Sequence, residues 1–557
     1  MTVRAVLRES LVAFVAALVA AIASTWPLAT RLSTGARDRV DVLYEAWLID
    51  WIGHAASSSA RVFDPNLFHP APAAATGADP LLGVALPLVP LRFMGFGPLA
   101  VHNIGLLLAI AFTAAASYAC GRVMTGARSA GVVMAAALAF GPVFTTEGGH
   151  IQIIACAGLP LAVLGAWLVV DSARAVRPST GAVALLSASL AWQITVSFYV
   201  AFYAAIAVAL VLVAQARHLR RADFVRLAIG GAAFALIAVP LVVQYRRRPE
   251  PVPSLGEALA RVGPLSGDFV HTHPKLLVWG GLLGRGSGWF ALTGGAFPGL
   301  AIVVGAVCGA GYAWRSRDAA VRRVGGVAAV LVGAGVVLAL GAAPSGPRRF
   351  TPWRVAMQLV PPLRGLRAAN RGIVVALVGL ALLAALGVSW IAPRLRLPPT
   401  AVAVGLAFLI VLEGLGSWGG TPQVETRDVD TYLAHDSSAG AVLYLPVPVG
   451  DVASVFEWSQ AEVAFRTTAH HRATVNGYGS YVPDSYFAMK RAVASLPDEA
   501  SLAALRDLGV RFVVVDRAAA VGTPWAHLAD PTLATDGGRA GLRLARVFDL
   551  DVLYEVQ

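Results

Sequence analysis

Lysine is almost missing from this chain: of 557 residues only Lys275 and Lys490 carry it, and cysteine occurs three times, at Cys120, Cys156 and Cys308. The cysteines fall in or at the ends of apolar runs with no metal-ligand spacing, so the sequence predicts neither a disulfide framework nor a zinc site. Charge is scarce as well. Charged residues make up 14% of the chain, against about 25% in an average soluble domain, and water is therefore not its main solvent. The net charge of +12 comes almost wholly from arginines in short clusters between apolar runs. That placement is a membrane-topology signal and argues against a nucleic-acid partner.

What is abundant is apolar length. Hydrophobic residues account for 57% of the chain, and runs of about 18 or more recur through the first 417 positions, each long enough to cross a bilayer core of about 30 Å as a helix. In lipid the backbone must satisfy its own hydrogen bonds, so these runs must be helical. We place about eleven spans: 10–29, 98–120, 129–145, 151–170, 180–196, 198–216, 224–244, 296–314, 324–342, 371–391 and 399–417. Arg4 and Arg8 precede the first run as in a signal peptide, but no small-x-small cleavage site stands before Trp26 and Pro27. The run reads as an uncleaved first helix. The segment from Leu81 to Phe93 holds Pro87 and Pro90 and is short, so it reads as interfacial or re-entrant.

With the N-terminus inside, Arg122 and Arg128, Arg174 and Arg177, the Arg217 to Arg226 cluster, Arg315 to Arg323, and Arg394 with Arg396 all fall on the cytoplasmic side. The odd number of spans then sends residues 421–557 outward. That tail changes pattern, with strand-length apolar runs at Ala441 to Pro446, Val510 to Asp516 and Val552 to Val556. A helical stretch from Ser501 to Leu508 ends on Gly509 at a C-cap position. The expected fold class is an α-helical polytopic membrane protein, residues 1–420, followed by a soluble extracytoplasmic α/β domain over 421–557. The tail holds no Gly-rich phosphate loop and no nucleophile elbow.

Three outer loops are long, 30–97, 245–295 and 343–370, and long loops tend to be functional. Two of them break the positive-inside trend with Arg246, Arg247 and Arg248, and with Arg348, Arg349, Arg354, Arg364, Arg367 and Arg371. Outer cations suit an anionic ligand such as a lipid phosphate, or anchor to lipid head groups by snorkelling.

The first loop carries Asp38, Asp41, Glu45 and Asp50. From Val40 the pattern reads as an amphipathic helix with Trp47 and Trp51 at the interface. Asp41 and Glu45, four apart, share a face where two carboxylates can hold a cation or divide acid and base roles. Glu147 and His150, on a Gly148–Gly149 turn between two spans, form a second ionisable site at a helix mouth. A solvated helix face and a helix cap are the alternatives to function at these two sites. His271 and His273 have no third metal ligand nearby. In the tail, Asn476, Tyr478 and Tyr481 lie in a Tyr- and Gly-rich segment suited to sugar contacts or to a packed turn.

Several of these segments together resemble the GT-C superfamily of polytopic glycosyltransferases, most of all its bacterial members. They are TWPL closing the first helix, Asp41 leading a WLIDW helix, FHP at 68–70, YACGRVMTG, FGPVF followed by GH, AFPGL, PLRGLRAANR, VNGY and LGVRFVVVD. The resemblance implies transfer of a sugar from a polyprenyl-phosphate donor to an envelope glycan, lipid or protein on the outer side of the bacterial cytoplasmic membrane. It implies a catalytic or acceptor-orienting role for Asp41 and a second acidic element at Glu147. It also assigns donor-phosphate contacts to outer-loop arginines, for which Arg247, Arg364, Arg367 and Arg371 are the candidates. Asp41 stands between Val40 and Val42 and not in an adjacent acidic pair; a divalent cation is compatible with the reading but no metal ligand is assigned. The rival classes are a transporter or flippase of an anionic or sugar-linked lipid, and a non-catalytic envelope-assembly protein. No half-to-half repeat of the kind common in transporters is visible.

Overall fold

The computed structural model describes residues 2–248, 254–261, 268–284, 295–341, 351–359, 361–366, 369–416, 424, 427–449, 458–530 and 541–557. By its contacts the chain divides into two compact units. The first takes Met1–Thr30, Ile104–Pro240 and Pro251–Gly420; the second takes Arg31–Asn103, Leu241–Glu250 and Thr421–Gln557.

Among the described residues, each expected apolar run is helical over most of its length. Among the described residues, seven helices or helix pairs are long and apolar enough to cross a membrane: Val3–Ser24, Pro98–Thr125, Arg128–Thr146, Ile151–Arg174, Arg221–Arg246, Ala319–Ala339 and Ala369–Leu395. Thr180–Val196, Phe198–Ala214, Leu300–Arg315 and Pro399–Gly414 are apolar but shorter, as is Leu82–Phe93 of the second unit. The chain is thus a multi-pass membrane protein. Their burial separates centre from periphery: 89% of the apolar window in Ala369–Leu395 is buried, against 11% in Val3–Ser24 and 17% in Arg221–Arg246. The exposed side chains of those last two, Leu11, Val15 and Leu236 among them, have the character of a lipid-facing surface.

Close backbone approach at small residues holds the centre together. A methyl group at Gly309 would lie 1.8 Å from the Leu383 carbonyl oxygen, and one at Gly387 would lie 2.2 Å from that of Gly305. Gly305 and Gly309 are four apart on Leu300–Arg315, so the helix pair meets through a small-xxx-small face, where dispersion contact replaces a hydrophobic drive that lipid cannot supply. Two spans are broken, and the freed carbonyls are taken up. Pro142 forces extended backbone on Gly141, at φ −64° and ψ 157°, which ends Arg128–Phe140 and starts Pro142–Thr146. Between Ile151–Ile154 and Gly158–Arg174, the Ile154 carbonyl accepts from Thr113 Oγ1 at 2.8 Å and the Ala155 carbonyl from Gln193 Nε2 at 3.2 Å.

The second unit is built on a four-stranded mixed sheet, β1 Ala441–Leu445, β2 Val510–Asp516, β3 Leu542–Val547 and β4 Asp551–Val556, in the order β1-β2-β4-β3. β1 and β2 are parallel, with Val442 opposite Phe512; β4 is antiparallel to both β2 and β3. The expected strands are present, and Glu499–Asp507 ends before Gly509 at φ +64°. β3 was not expected. It is an edge strand whose arginines, Arg543 and Arg546, interrupt the apolar pattern, which is how edges are kept from pairing with other chains.

One expectation about the first loop is overturned. Asp41–Ala56 is not an amphipathic interfacial helix: almost all of it is buried, because Leu82–Phe93, Trp458–Arg466 and Thr467–Ala469 pack around it within the second unit. Trp47 and Trp51, 2% and 4% exposed, are core residues whose indole N–H groups donate to Asn66 Oδ1 and the Val62 carbonyl, both at 3.1 Å.

Candidate functional site

Asp41 occupies the first turn of Asp41–Ala56. The entry to the helix is fixed by Asp38, whose Oδ1 accepts from the backbone N–H of Val40 at 2.8 Å and of Val42 at 3.4 Å, as an N-terminal carboxylate does for otherwise unpaired amides. Asp41 itself is half-buried, and Tyr478 Oη donates to its Oδ1 at 3.3 Å. The Tyr478 ring meets Tyr44 edge-on at 5.1 Å, and Tyr44 stacks on Trp47 at 5.2 Å. Burial, followed by the charge of Asp41, pushes both phenols well above their ordinary range. They therefore remain neutral hydrogen-bond donors at physiological pH.

From Tyr478 the chain runs on to Ser480, whose N–H donates to the Gly77 carbonyl at 2.9 Å, and to Tyr481, over whose ring Arg248 lies at 3.5 Å. Tyr245 donates to the Ala78 carbonyl at 2.7 Å and lies within electrostatic reach of Asp79, Tyr44 and Arg248. Tyr44, Asp79 and Tyr245 join this site without having been singled out by sequence. Tyr44 and Tyr245 sit inside apolar helical stretches where a tyrosine reads as core, and Asp79 has no motif around it.

Three other expected site residues of this unit have different work. Glu45, 4% exposed, faces His102 Nε2 at 3.3 Å; His102 in turn meets Asn103, whose amide donates to the carbonyls of Leu32 and Gly35 at 2.8 Å. Glu45 thus belongs to a buried polar chain at the start of the loop. Asn476 is 0% exposed, and its amide donates to the Tyr444 carbonyl and Gln460 Oε1 and accepts from the Tyr444 N–H. With both amide hydrogens engaged it clamps β1, and no donor is left for an acceptor ligand. Arg247 is held by both carboxylate oxygens of Asp64, at 3.0 and 2.9 Å.

In the first unit, Glu147, His150 and Arg371 come together across 224 positions. Glu147 Oε2 accepts from Arg371 Nη2 at 3.1 Å and lies 3.1 Å from His150 Nδ1. The Gly141–Pro142 break turns the chain so that Glu147 caps Pro142–Thr146. Arg371 also lies over the Tyr199 ring at 5.1 Å. Burial raises the Glu147 carboxyl, but Arg371 and His150 outweigh it and hold the group at about 2. So acidic a carboxyl is a weak base near neutrality, and Glu147 acts as an anion that positions Arg371 and His150. Beside it, Tyr203 donates to the Ala369 carbonyl at 3.3 Å and Trp353, 1% exposed, packs on Tyr203 and Phe202. Arg364 donates to the Met357 carbonyl at 3.0 Å, supporting its own loop. Arg367 lies outside the described residues.

Among the described residues no group of three or more His, Cys, Asp or Glu side chains is placed to hold a metal. Near Asp41 in sequence, Asp38 accepts from the helix amides and Glu45 faces His102.

No protein-family model matches the sequence, and no curated protein matches it either. Solved structures do. The mycobacterial arabinofuranosyltransferase AftD aligns with 98% of this chain and 41% of its own at 14% identity, with a TM-score of 0.55. The oligosaccharyltransferase of Archaeoglobus fulgidus, solved with zinc and sulfate, aligns with 93% of this chain and 69% of its own at 14% identity, with a TM-score of 0.51. These likenesses span nearly the whole chain, which shares the fold of these two structures, a helical multi-pass membrane body with a C-terminal sheet domain.

Proposed function

We propose that this chain is a membrane glycosyltransferase that moves a sugar from a polyprenyl-phosphate donor to an extracytoplasmic acceptor, a glycan, lipid or protein of the cell envelope. The shared fold supports the class of reaction, since the two similar structures are both glycosyl- or oligosaccharyltransferases. The observation that carries the assignment of residues is Asp41, a half-buried carboxylate at the head of a rigid buried helix with the Tyr478 hydroxyl 3.3 Å away. Such a carboxylate can accept the proton of an acceptor hydroxyl, and fixing it on a helix packed on all sides holds it in place for the reaction.

In the proposed step the acceptor oxygen bonds to the anomeric carbon of the donor sugar as the anomeric carbon–phosphate oxygen bond breaks. The acceptor proton passes to Asp41 and the electron pair leaves with the polyprenyl phosphate. Tyr478, a neutral donor, orients Asp41, and the rings of Tyr44 and Tyr481 offer faces for a sugar. As a separate proposal for the first unit, Arg371, paired with Glu147, is the arginine offered as a contact for a lipid phosphate. The arginine distribution supports insertion in the bacterial cytoplasmic membrane with the N-terminus inside and residues 421–557 outside.

The test is transfer of a labelled sugar from polyprenyl-phosphate donors to envelope acceptors by the reconstituted full chain. Asp41→Asn keeps size and polarity but cannot take the proton, and turnover should fall about 10²–10⁴-fold with normal folding. An Asp41→Asn enzyme within twofold of the parent would remove Asp41 as the base.

A further inference from the structure

The second unit contains a cavity of about 570 Å³ that the Asp41 site does not use, lined by His69, Asp436, Ser437, Ser438, His470 and His471 among others. Its size falls within the roughly 300–1,000 Å³ of small-molecule sites. Its floor is tied to Asp41–Ala56 through His471, whose Nε2 lies 2.7 Å from Asp50 Oδ2. Asp50 is nine residues from Asp41 on that helix, about 14 Å at about 1.5 Å per residue, so the cavity is a separate place.

The wall is a shaped one. Arg472 gathers the 433–438 loop by donating to the carbonyls of Leu433, Asp436 and Ser438 and to the Asp436 carboxylate. Its charge and that of Asp436 cancel within the wall. His470 is locked: its Nδ1 accepts from the Arg472 N–H at 3.0 Å, which leaves the ring proton on Nε2, 2.8 Å from Tyr444 Oη, and Tyr444 donates to Asp430 Oδ1 at 2.9 Å. His471 adopts a left-handed backbone, φ 52°, and stacks flat on His54 at 4.1 Å. A non-glycine residue held in that region is strained, and such strain tends to occur where a side chain must be aimed.

Burial lowers His69, His470 and His471 from their ordinary range, so all three are neutral at physiological pH. The imidazole of His69 has no hydrogen-bond partner among the described residues, and the Ser437 hydroxyl is exposed to the opening. The cavity therefore combines zero net charge, imidazole surfaces, hydroxyls and backbone groups. A phosphate or carboxylate would find no uncommitted cation there, and an apolar ligand would leave the polar wall unpaired.

We propose that this cavity binds a neutral sugar residue, as a site on the sheet-bearing unit apart from the Asp41 site. The experiment is saturation-transfer NMR on the full chain in lipid nanodiscs with methyl glycosides of arabinose, mannose and galactose, and with inorganic phosphate in parallel. At least one glycoside should show transfer that phosphate does not compete away. The signal should fall at least fivefold in His69→Ala and in Ser437→Trp, the second being an exposed position where a bulky ring closes the mouth without touching the core. Asp41→Asn should leave the signal intact. The proposal is overturned if no glycoside shows transfer to the parent chain, if phosphate displaces the signal, or if the signal survives both variants. It is also overturned if Asp41→Asn abolishes binding, because the sugar would then occupy the Asp41 site.

Discussion

Replacing Arg371 with methionine leaves Glu147, 5% exposed at its side chain, with His150 Nδ1 3.1 Å away. Two opposite charges about 4 Å apart attract by about 4 kcal/mol at an effective dielectric constant near 20. Removing one member of a buried pair costs about 3–5 kcal/mol, because the other is left desolvated and uncompensated. The His150 contact places the expected loss toward the lower end, about 3 kcal/mol. Glu147→Gln in the Arg371→Met background removes the stranded charge, so the double variant should recover part of the stability. The assay is a double-mutant cycle by chemical unfolding of the detergent-solubilised chain, with an expected coupling energy of about 2–3 kcal/mol. A coupling below about 0.5 kcal/mol would show that the two side chains are not an energetic pair. If Arg371→Met weakened polyprenyl-phosphate binding while stability stayed unchanged, the guanidinium would be a phosphate ligand alone and its positioning by Glu147 would be refuted.

Asn476→Ala should destabilise the chain by about 1–3 kcal/mol for each buried group it leaves unpaired, with the acceptor KM of the folded fraction unchanged; a KM shift with no change in melting would restore an acceptor contact. Trp353→Ala should cost about 3–5 kcal/mol, read as a lowered melting temperature, and an unchanged melt would mean the Pro352–Leu359 helix does not hold the Tyr203 face. Acid should weaken the second unit. His470 and His471 sit at about 3 and about 4 in the folded chain, against 6.5 for the ordinary imidazole, because of burial and then of neighbouring positive groups, Arg472 for His470 and Arg92 for His471. Between pH 6.5 and 4 the unfolded chain binds more protons than the folded one, so stability falls as pH drops through that window. The melting temperature should be flat above pH 6.5 and decline below it, less steeply in His471→Gln; a melt that rises on acidification contradicts the assignment.

The elements were largely legible in the sequence because they answer to local rules. An apolar run of span length has to be helical, and VRFVVVD ahead of a polar turn has to be a strand; the break at Gly141–Pro142 inside the expected 129–145 span was not read from the sequence. β3 escaped because Arg543 and Arg546 make an edge strand look like loop. For the sites, residue type pointed to Asp41, Glu147 and His150, and the loop arginines pointed to Arg371. Nothing in the sequence said that Glu147 and Arg371 bind each other, since their pairing depends on which helix ends are brought together.

The Asp41–Ala56 helix separates the two kinds of information most clearly. Its sequence alone determined that it is a helix and that a carboxylate heads it, through hydrophobic spacing and the preference of acidic groups for helix N-termini. Only the tertiary structure decided that its face is closed, since residues from 458 onward, more than 400 positions from Trp47 and Trp51, pack on the helix and bring Tyr478 to Asp41. Local sequence fixes backbone propensity within a few turns. Burial, ion pairing and proton affinity are set by whatever the rest of the chain packs against that surface.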